Sequence, residues 1–228
     1  GEVNVYQYND DSLMLHNDLY QINMAESYWN DGIHERIAVF DLYFRKMPFN
    51  SGYAVFNGLK RVVNFIENFG FTNEDITYLK SIGYEEDFLN YLKDLKFTGN
   101  IKSMQEGEIC FGNEPLLRVE APLIQAQLIE TILLNVINFQ TLIATKASRI
   151  RQIATHDNLM EFGTRRAQEI DAALWGARAT FIGGFDSTSN VRAGKLFNIP
   201  VSGTHAHALV QTYGDEYIAC LLYTSPSP

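Results

Sequence analysis

Leu159-Met160-Glu161-Phe162-Gly163-Thr164-Arg165-Arg166 is the first of three similar segments that decide the fold. The second is Phe181-Ile182-Gly183-Gly184-Phe185-Asp186-Ser187-Thr188-Ser189-Asn190, and the third is Ile199-Pro200-Val201-Ser202-Gly203-Thr204-His205-Ala206-His207. In each, a short apolar run ends in a polar cluster and then gives way to a helical pattern. That rhythm predicts strand-loop-helix units on a parallel sheet buried on both faces, with ligands at the carboxyl ends of the strands. Arg165, Arg166, Asp186, His205 and His207 are thereby expected on one rim. Arginines and helix N-termini suit phosphate, and histidine suits proton or phosphoryl transfer, so the cluster reads as an active site for a phosphorylated substrate.

The composition sets bounds on partners. The chain has 228 residues, 46% hydrophobic and 20% charged, with a formal net charge of -9. Such an acidic balance argues against nucleic acid or an anionic membrane as the main partner, so a phosphate ligand must be held by a local basic cluster. Cys110 and Cys220 are too few for a disulfide framework or a cysteine-rich metal site, which fits a reducing cytoplasm. The apolar-leaning stretch from Ala121 to Ala144 is interrupted by Gln125, Gln127, Glu130, Asn135 and Gln140, and is not expected to span a membrane. After Ala219 the sequence reads Cys220-Leu221-Leu222-Tyr223-Thr224-Ser225-Pro226-Ser227-Pro228, which continues no unit and resembles a translated cloning scar. On that reading residues 220–228 are a non-native tail, and the natural protein is longer.

Upstream the pattern is mixed. A helix is expected with Asn17 or Asp18 near its start, then a strand over His34 to Tyr43 with alternating apolar positions. Gly52 to Phe71 has helical spacing, and Thr72-Asn73-Glu74-Asp75 signals the start of one or two further helices reaching Leu95. Ile101 to Val119 reads as strands with turns at Glu106-Gly107 and Gly112-Asn113. A long apolar helix opens at Pro122, is expected to bend at Asn138-Phe139-Gln140, and resumes from Thr141 to Ile153. Its basic end, Lys146, Arg149 and Arg151, reads most simply as a solvated face or a charge favourable at a helix C-terminus. Two units follow: an α+β N-terminal domain over 1–138 and the first units of a β/α barrel over 139–219.

Three constellations can carry chemistry. Arg165-Arg166 sits where a strand meets a helix, and would give an anion both guanidinium donors and the helix dipole. Gly183-Gly184-Phe185-Asp186-Ser187-Thr188-Ser189 either cradles phosphate or simply caps the next helix. His205 and His207, at i and i+2, point different ways if helical, so one can face the pocket while the other packs; they do not form a chelating pair.

Taken in order, these motifs resemble nicotinate phosphoribosyltransferases. Those from Glu161 to Gln168, Gly183 to Val191 and Val201 to His207 carry the resemblance, together with Asn17-Asp18-Leu19-Tyr20-Gln21, Phe44-Arg45-Lys46-Met47-Pro48-Phe49, Asn113-Glu114-Pro115-Leu116 and Glu130-Thr131-Ile132-Leu133-Leu134-Asn135. It covers about Asp11 to Ala219. The resemblance implies an enzyme of NAD biosynthesis that joins nicotinate to phosphoribosyl pyrophosphate, with ATP hydrolysis coupled through a phosphohistidine and with Mg2+ on the phosphates. His207 matches the phosphorylated position, Phe162 the ring that stacks on the pyridine, Arg165 and Thr204 the base and phosphoribosyl site, and Asp186 a residue near the pyridine. Asp18 and Tyr20 are expected to reach into the partner's site across a homodimer, and Arg45 to approach the phosphates; no protein metal site is implied. The implied fold is an α+β domain packed on an irregular β/α barrel of the type II phosphoribosyltransferase kind. A closed barrel needs about eight strands and roughly 250 residues, so the barrel here is expected to be incomplete and the chain alone incompetent. Sister activities on nicotinamide or quinolinate, and a noncatalytic ligand-binding or dimer-forming module, are the rival readings.

Overall fold

Helix α1 (Leu19–Asn30) begins directly after Asp18, in the extended conformation of an N-cap, and buries Gln21, Ile22 and Ala25. A computed structural model describes residues 13–224 of the chain. Strand β1 (Ile37–Leu42) follows, with β2 (Ala54–Val55) beyond it. Three helices come next: α2 (Leu59–Glu67), α3 (Asn73–Ser81) and α4 (Glu86–Asp94). The Thr72 signal is borne out as a reciprocal capping box, with Asp75 N–H donating to Thr72 Oγ1 at 3.1 Å and Thr72 N–H to Asp75 Oδ2 at 2.8 Å. Strands β3 (Asn100–Ser103), β4 (Ile109–Cys110) and β5 (Leu117–Pro122) complete the N-terminal layer. They form an antiparallel sheet in the order β1-β5-β3 and a smaller β2-β4 pair. In β5, Leu117, Val119 and Ala121 face the core while Arg118 and Glu120 are exposed, the alternation of a half-buried strand. Asp41 lies opposite Arg118 in the register and accepts two hydrogen bonds from its guanidinium, at 2.7 and 2.8 Å.

The segment from Gly52 departs from the expected single helix. Residues Ala54, Val55 and Phe56 are buried, and the chain there is extended because its N–H groups find partners on the next long helix. Val55 N–H donates to Thr145 Oγ1 at 2.9 Å and Asn57 N–H to Thr141 Oγ1 at 3.1 Å. Gly58, with φ 109°, then turns the chain into α2. A Cβ there would lie 3.1 Å from the Ile137 Cα, so both the space and the backbone angle favour glycine.

That long helix is α5 (Leu123–Ile153), 31 residues without interruption. The bend expected at Asn138-Phe139-Gln140 does not occur. Gln140, the last residue of the expected bend, and Thr141, the expected start of a second helix, are both buried inside the protein. By length and composition α5 could cross a membrane, but 56% of the qualifying window is buried within the fold, which accounts for its apolar character. Beyond it come β6 (Met160–Glu161), α6 (Glu169–Ile182), β7 (Ser187–Thr188) and α7 (Val191–Phe197). Then follow α8 (His207–Tyr213) and α9 (Glu216–Thr224). β6 pairs parallel with β7, and Val201 bridges parallel to Thr188. Among the described residues the barrel is therefore begun and not closed.

Two boundaries shift. Phe181-Ile182, read as a strand, ends α6, and the strand is Ser187–Thr188 instead. The reason is a tight helix crossing: a Cβ on Gly183 would come 2.4 Å from the Ala144 carbonyl oxygen, so α6 runs against α5 up to that glycine. At the far end, α9 continues through Cys220 to Thr224, five residues into the stretch set aside as a tail. Ser225 to Pro228 lie outside the described residues.

The N-terminal layer and the barrel segment are joined by charge. Arg178 of α6 donates to both carboxylate oxygens of Glu106, at 3.0 and 2.6 Å, and both side chains are largely buried. Glu106 Oε1 also accepts the N–H groups of Gly58 and Lys60 at the start of α2. Burial, the largest influence, pushes the Glu106 carboxyl up; Arg178 and these N–H groups outweigh it and hold it below its usual range. Beside it Arg61 pairs with Asp171 at 2.9 Å and covers the Trp175 ring. Arg178→Ala should cost about 3 kcal/mol in urea unfolding at neutral pH, since it strands a buried carboxylate. Because the folded carboxyl is depressed, the stability it confers is present at neutral pH and is lost as pH falls through its folded value. The gap between wild type and Arg178→Ala should therefore narrow in acid. Gly183→Ala should cost about 2 kcal/mol by forcing α6 off α5, read the same way.

Candidate functional site

Because β6, β7 and Val201 run parallel, three loops leave the same edge: Phe162 to Arg166, Ser189-Asn190, and Ser202 to His207. The backbones are interlocked just beneath. Ser189 N–H donates to Glu161 O at 2.9 Å, Thr188 N–H to Pro200 O at 3.0 Å and Ser202 N–H to Thr188 O at 3.0 Å. Above this base Phe162 is 44% exposed, and Thr164–Arg166 forms a single 3₁₀ turn that leaves Arg165 and Arg166 in solvent. Thr204 and His205 lie in the third loop and His207 opens α8; all three are exposed. The edge thus gathers Phe162, Arg165, Thr204 and His207, four of the residues expected there. Asn190 Oδ1 accepts Ala193 N–H at 2.9 Å, so the capping reading holds for the start of α7.

Asp186 is not on this rim. It precedes β7, at the amino edge of the sheet, where its Oδ2 accepts Leu159 N–H at 2.8 Å and is paired with Arg151 Nη2. The misplacement follows from reading Phe181-Phe185 as the strand, which set Asp186 after a strand that it in fact precedes. Arg151, read as solvated, is the residue that the sequence reading missed. Its Nε donates to Gly184 O at 2.7 Å, and its Nη1 donates to Ala154 O and Asp157 O, each at 2.8 Å. Leu159 N–H first, then Arg151, hold the Asp186 carboxyl below its usual range. Together the pair fastens the end of α5 to the start of β6.

The upstream candidates collect elsewhere. Asp18, Tyr20, Gln21, Arg45, Glu130 and Asn135 line one groove of about 570 Å³ between α1, the end of β1 and α5. Three motifs well separated in the chain, from Asn17, Phe44 and Glu130, so meet at one place. Gln21 is buried, and its Nε2 donates to Tyr20 Oη at 3.0 Å, fixing the phenol at the groove's edge. Phe162, Arg165, Thr204 and His207 do not line it. Among the described residues no three His, Cys, Asp or Glu side chains are grouped to hold a metal ion.

An α+β layer that leads by one long helix into a parallel β/α array, with a cationic and hydroxyl-bearing rim, defines a type II phosphoribosyltransferase fold. The solved structure of human nicotinic acid phosphoribosyltransferase superposes with a TM-score of 0.80 at 39% identity, covering 86% of this chain and 40% of that one. A nicotinate-nucleotide pyrophosphorylase from Pyrococcus furiosus shares the fold, with a TM-score of 0.78 at 22% identity. Residues 15–138 match the family described as the nicotinate phosphoribosyltransferase (NAPRTase) N-terminal domain, and the chain belongs to that family. It is 64% identical to the nicotinate phosphoribosyltransferase of Bacillus subtilis over 219 residues, 96% of this chain and 45% of that protein. Against nicotinate phosphoribosyltransferase 2 of Arabidopsis thaliana it is 47% identical over 204 residues, 87% of this chain and 36% of the relative. The chain thus spans less than half the length of these relatives.

With its carboxylate committed to Arg151 and Leu159 N–H, Asp186→Asn should lower the melting temperature and blunt its fall in acid. A depressed carboxyl confers stability that disappears as pH falls through its folded value. Calorimetry against pH checks both parts.

Proposed function

We propose that this chain forms the nicotinate-binding part of an ATP-dependent nicotinate phosphoribosyltransferase working in the reducing cytoplasm, as a homodimer with small-molecule substrates. The observation that carries the reading is the shared edge: an aromatic ring at Phe162, a guanidinium at Arg165, a hydroxyl at Thr204 and an imidazole at His207, on two loops that leave the same edge of the parallel strands. In the reaction the ring nitrogen of nicotinate forms a bond to the anomeric carbon of phosphoribosyl pyrophosphate while the bond to pyrophosphate breaks. The sugar is cationic at the transition state, so the protein's part is to orient the anionic base and to steady the leaving phosphates. Phe162 supplies a face for the pyridine, and Arg165 a partner for its carboxylate or for the phosphoribosyl group. Mg2+, which the family resemblance implies, would sit on the phosphates of phosphoribosyl pyrophosphate and offset their charge. His207 accepts the terminal phosphoryl group of ATP as ADP departs, which couples hydrolysis to transfer.

The groove containing Asp18, Tyr20 and Arg45 serves the partner's rim. Its separation from Phe162 and His207 along the lining of the groove supports this assignment.

The test uses this chain extended with the C-terminal portion of the Bacillus subtilis relative. It should form nicotinate mononucleotide from nicotinate and phosphoribosyl pyrophosphate, with nicotinamide and quinolinate competing poorly; transfer to either of those instead would reassign the substrate. ATP labelled at its terminal phosphate should leave an acid-labile, base-stable label that disappears in His207→Ala and persists in His205→Ala, with residual transfer no longer stimulated by ATP. Unchanged labelling in His207→Ala would remove that residue from the mechanism. Hybrid dimers of Tyr20→Ala and Arg165→Ala subunits should regain activity through one intact site of the two, and confirmed dimers without recovery would end the shared-site assignment.

A further inference from the structure

We infer that Glu161, acting through Gly163 and Thr188, is a positioning residue that sets the Phe162–Arg165 turn for nicotinate; the inference rests on the proposed activity. Glu161 is the last residue of β6, directly before the ring that would meet the pyridine. One of its carboxylate oxygens accepts the Gly163 N–H, which folds the turn back over its own strand. The other accepts the Thr188 hydroxyl at 2.6 Å. Thr188 is fully buried and touches all three rim loops: its hydroxyl also accepts Asn190 N–H at 3.0 Å, and its backbone is bonded to Pro200 and Ser202. The first two loops are therefore coupled through one carboxylate and one hydroxyl, and the third through the Thr188 backbone.

The chemistry argues for an indirect role. Nicotinate is an anion, and a carboxylate touching it would repel it; Glu161 instead has both oxygens occupied by protein donors. Gly163 completes the device. A Cβ there would sit 2.8 Å from Glu161 Oε1, so glycine lets the carboxylate come in close, and a side chain at that position would make the carboxylate shift.

Arg165 and Arg166 lie in the turn that Glu161 holds, which gives a readout independent of activity. In the chain itself, Glu161→Ala and Thr188→Val should be cut by trypsin after Arg165 or Arg166 on the order of tenfold faster than wild type, through local opening of the turn. Glu161→Gln, whose amide oxygen still accepts the Gly163 N–H, and Thr188→Ser, which keeps the hydroxyl, should be cut near the wild-type rate. In the extended chain, Glu161→Ala should raise KM for nicotinate on the order of tenfold and leave KM for phosphoribosyl pyrophosphate unchanged, because only the base-facing turn moves. The double variant should be no worse than either single one, as expected of one shared network. Wild-type cleavage in Glu161→Ala, an equal rise in both KM values, or additive losses would each overturn the inference. Absence of nicotinate transfer in the unaltered extended chain would instead defeat the proposed activity, with the cleavage pattern still reporting whether Glu161 holds the turn.

Discussion

The packing of α5 against successive neighbours along its length is the constraint from which the rest of the fold follows. A helix of 31 residues carries one apolar stripe in an ordinary surface setting, but this one is buried by different neighbours along its length. Its first half fills the core under the β1-β5-β3 sheet with Ile124, Leu128, Ile129, Ile132 and Leu133. Its second half turns Thr141 and Thr145 toward the extended β2 segment, whose N–H groups have no strand on that side. A buried donor left unmet costs free energy comparable to a lost hydrogen bond, so those two hydroxyls decide that residues 54–57 lie extended there. Further on, Ala144 and Ala147 keep the surface low enough for the backbone of Gly183 to pass. One helix thereby orders the N-terminal layer and aims the first barrel strands.

Charge then ties the two halves together at points that packing leaves polar. Glu106 caps the start of α2 from outside, while Arg178 reaches it from α6. A buried pair of this kind adds modest net stability over an apolar replacement but penalises any arrangement that separates its members. Its place at the joint makes it a determinant of how α6 lies against the N-terminal layer. The Arg61-Asp171 pair and the cations over Trp175 and Phe197 extend the same seam.

Local signals in the sequence were legible where one residue type decides one geometry. Thr72 with Asp75, Asp18 before α1 and the alternation in β1 each work through neighbours a few residues away, so the spacing alone exposes them. What misled was tertiary in origin. Phe181-Ile182 is apolar because it ends a helix at a tight crossing, and no short window separates that from a buried strand. Gly52 to Gly58 has helical spacing, yet hydroxyls some ninety residues away hold it extended. Gln140 looks like a break and is a buried member of a continuous helix. At the site, the loops carrying Phe162, Arg165, Thr204 and His207 were legible from their place after short apolar runs, whereas Asp186 followed the misread strand to the wrong edge.

Function separates from structure most clearly among the arginines. Arg151 and Arg165 are both single arginines of a basic run in sequence, and composition gives no means to rank them. In the fold, Arg61, Arg118, Arg151 and Arg178 are each paired with a carboxylate, and Arg149 lies over Phe49 and donates to its carbonyl. A guanidinium so engaged has its charge offset and its donors filled, and can hold an incoming anion only by giving up that partner. Among the described residues no ion pair engages Arg45, Arg165 or Arg166. In a chain of net charge -9 that repels phosphates at long range, binding an anionic substrate depends on cations left uncompensated at one location. Arg165 and Arg166 stand so in the rim turn, and Arg45 in the groove beside α1, where an anion meets a guanidinium that has no carboxylate partner to give up.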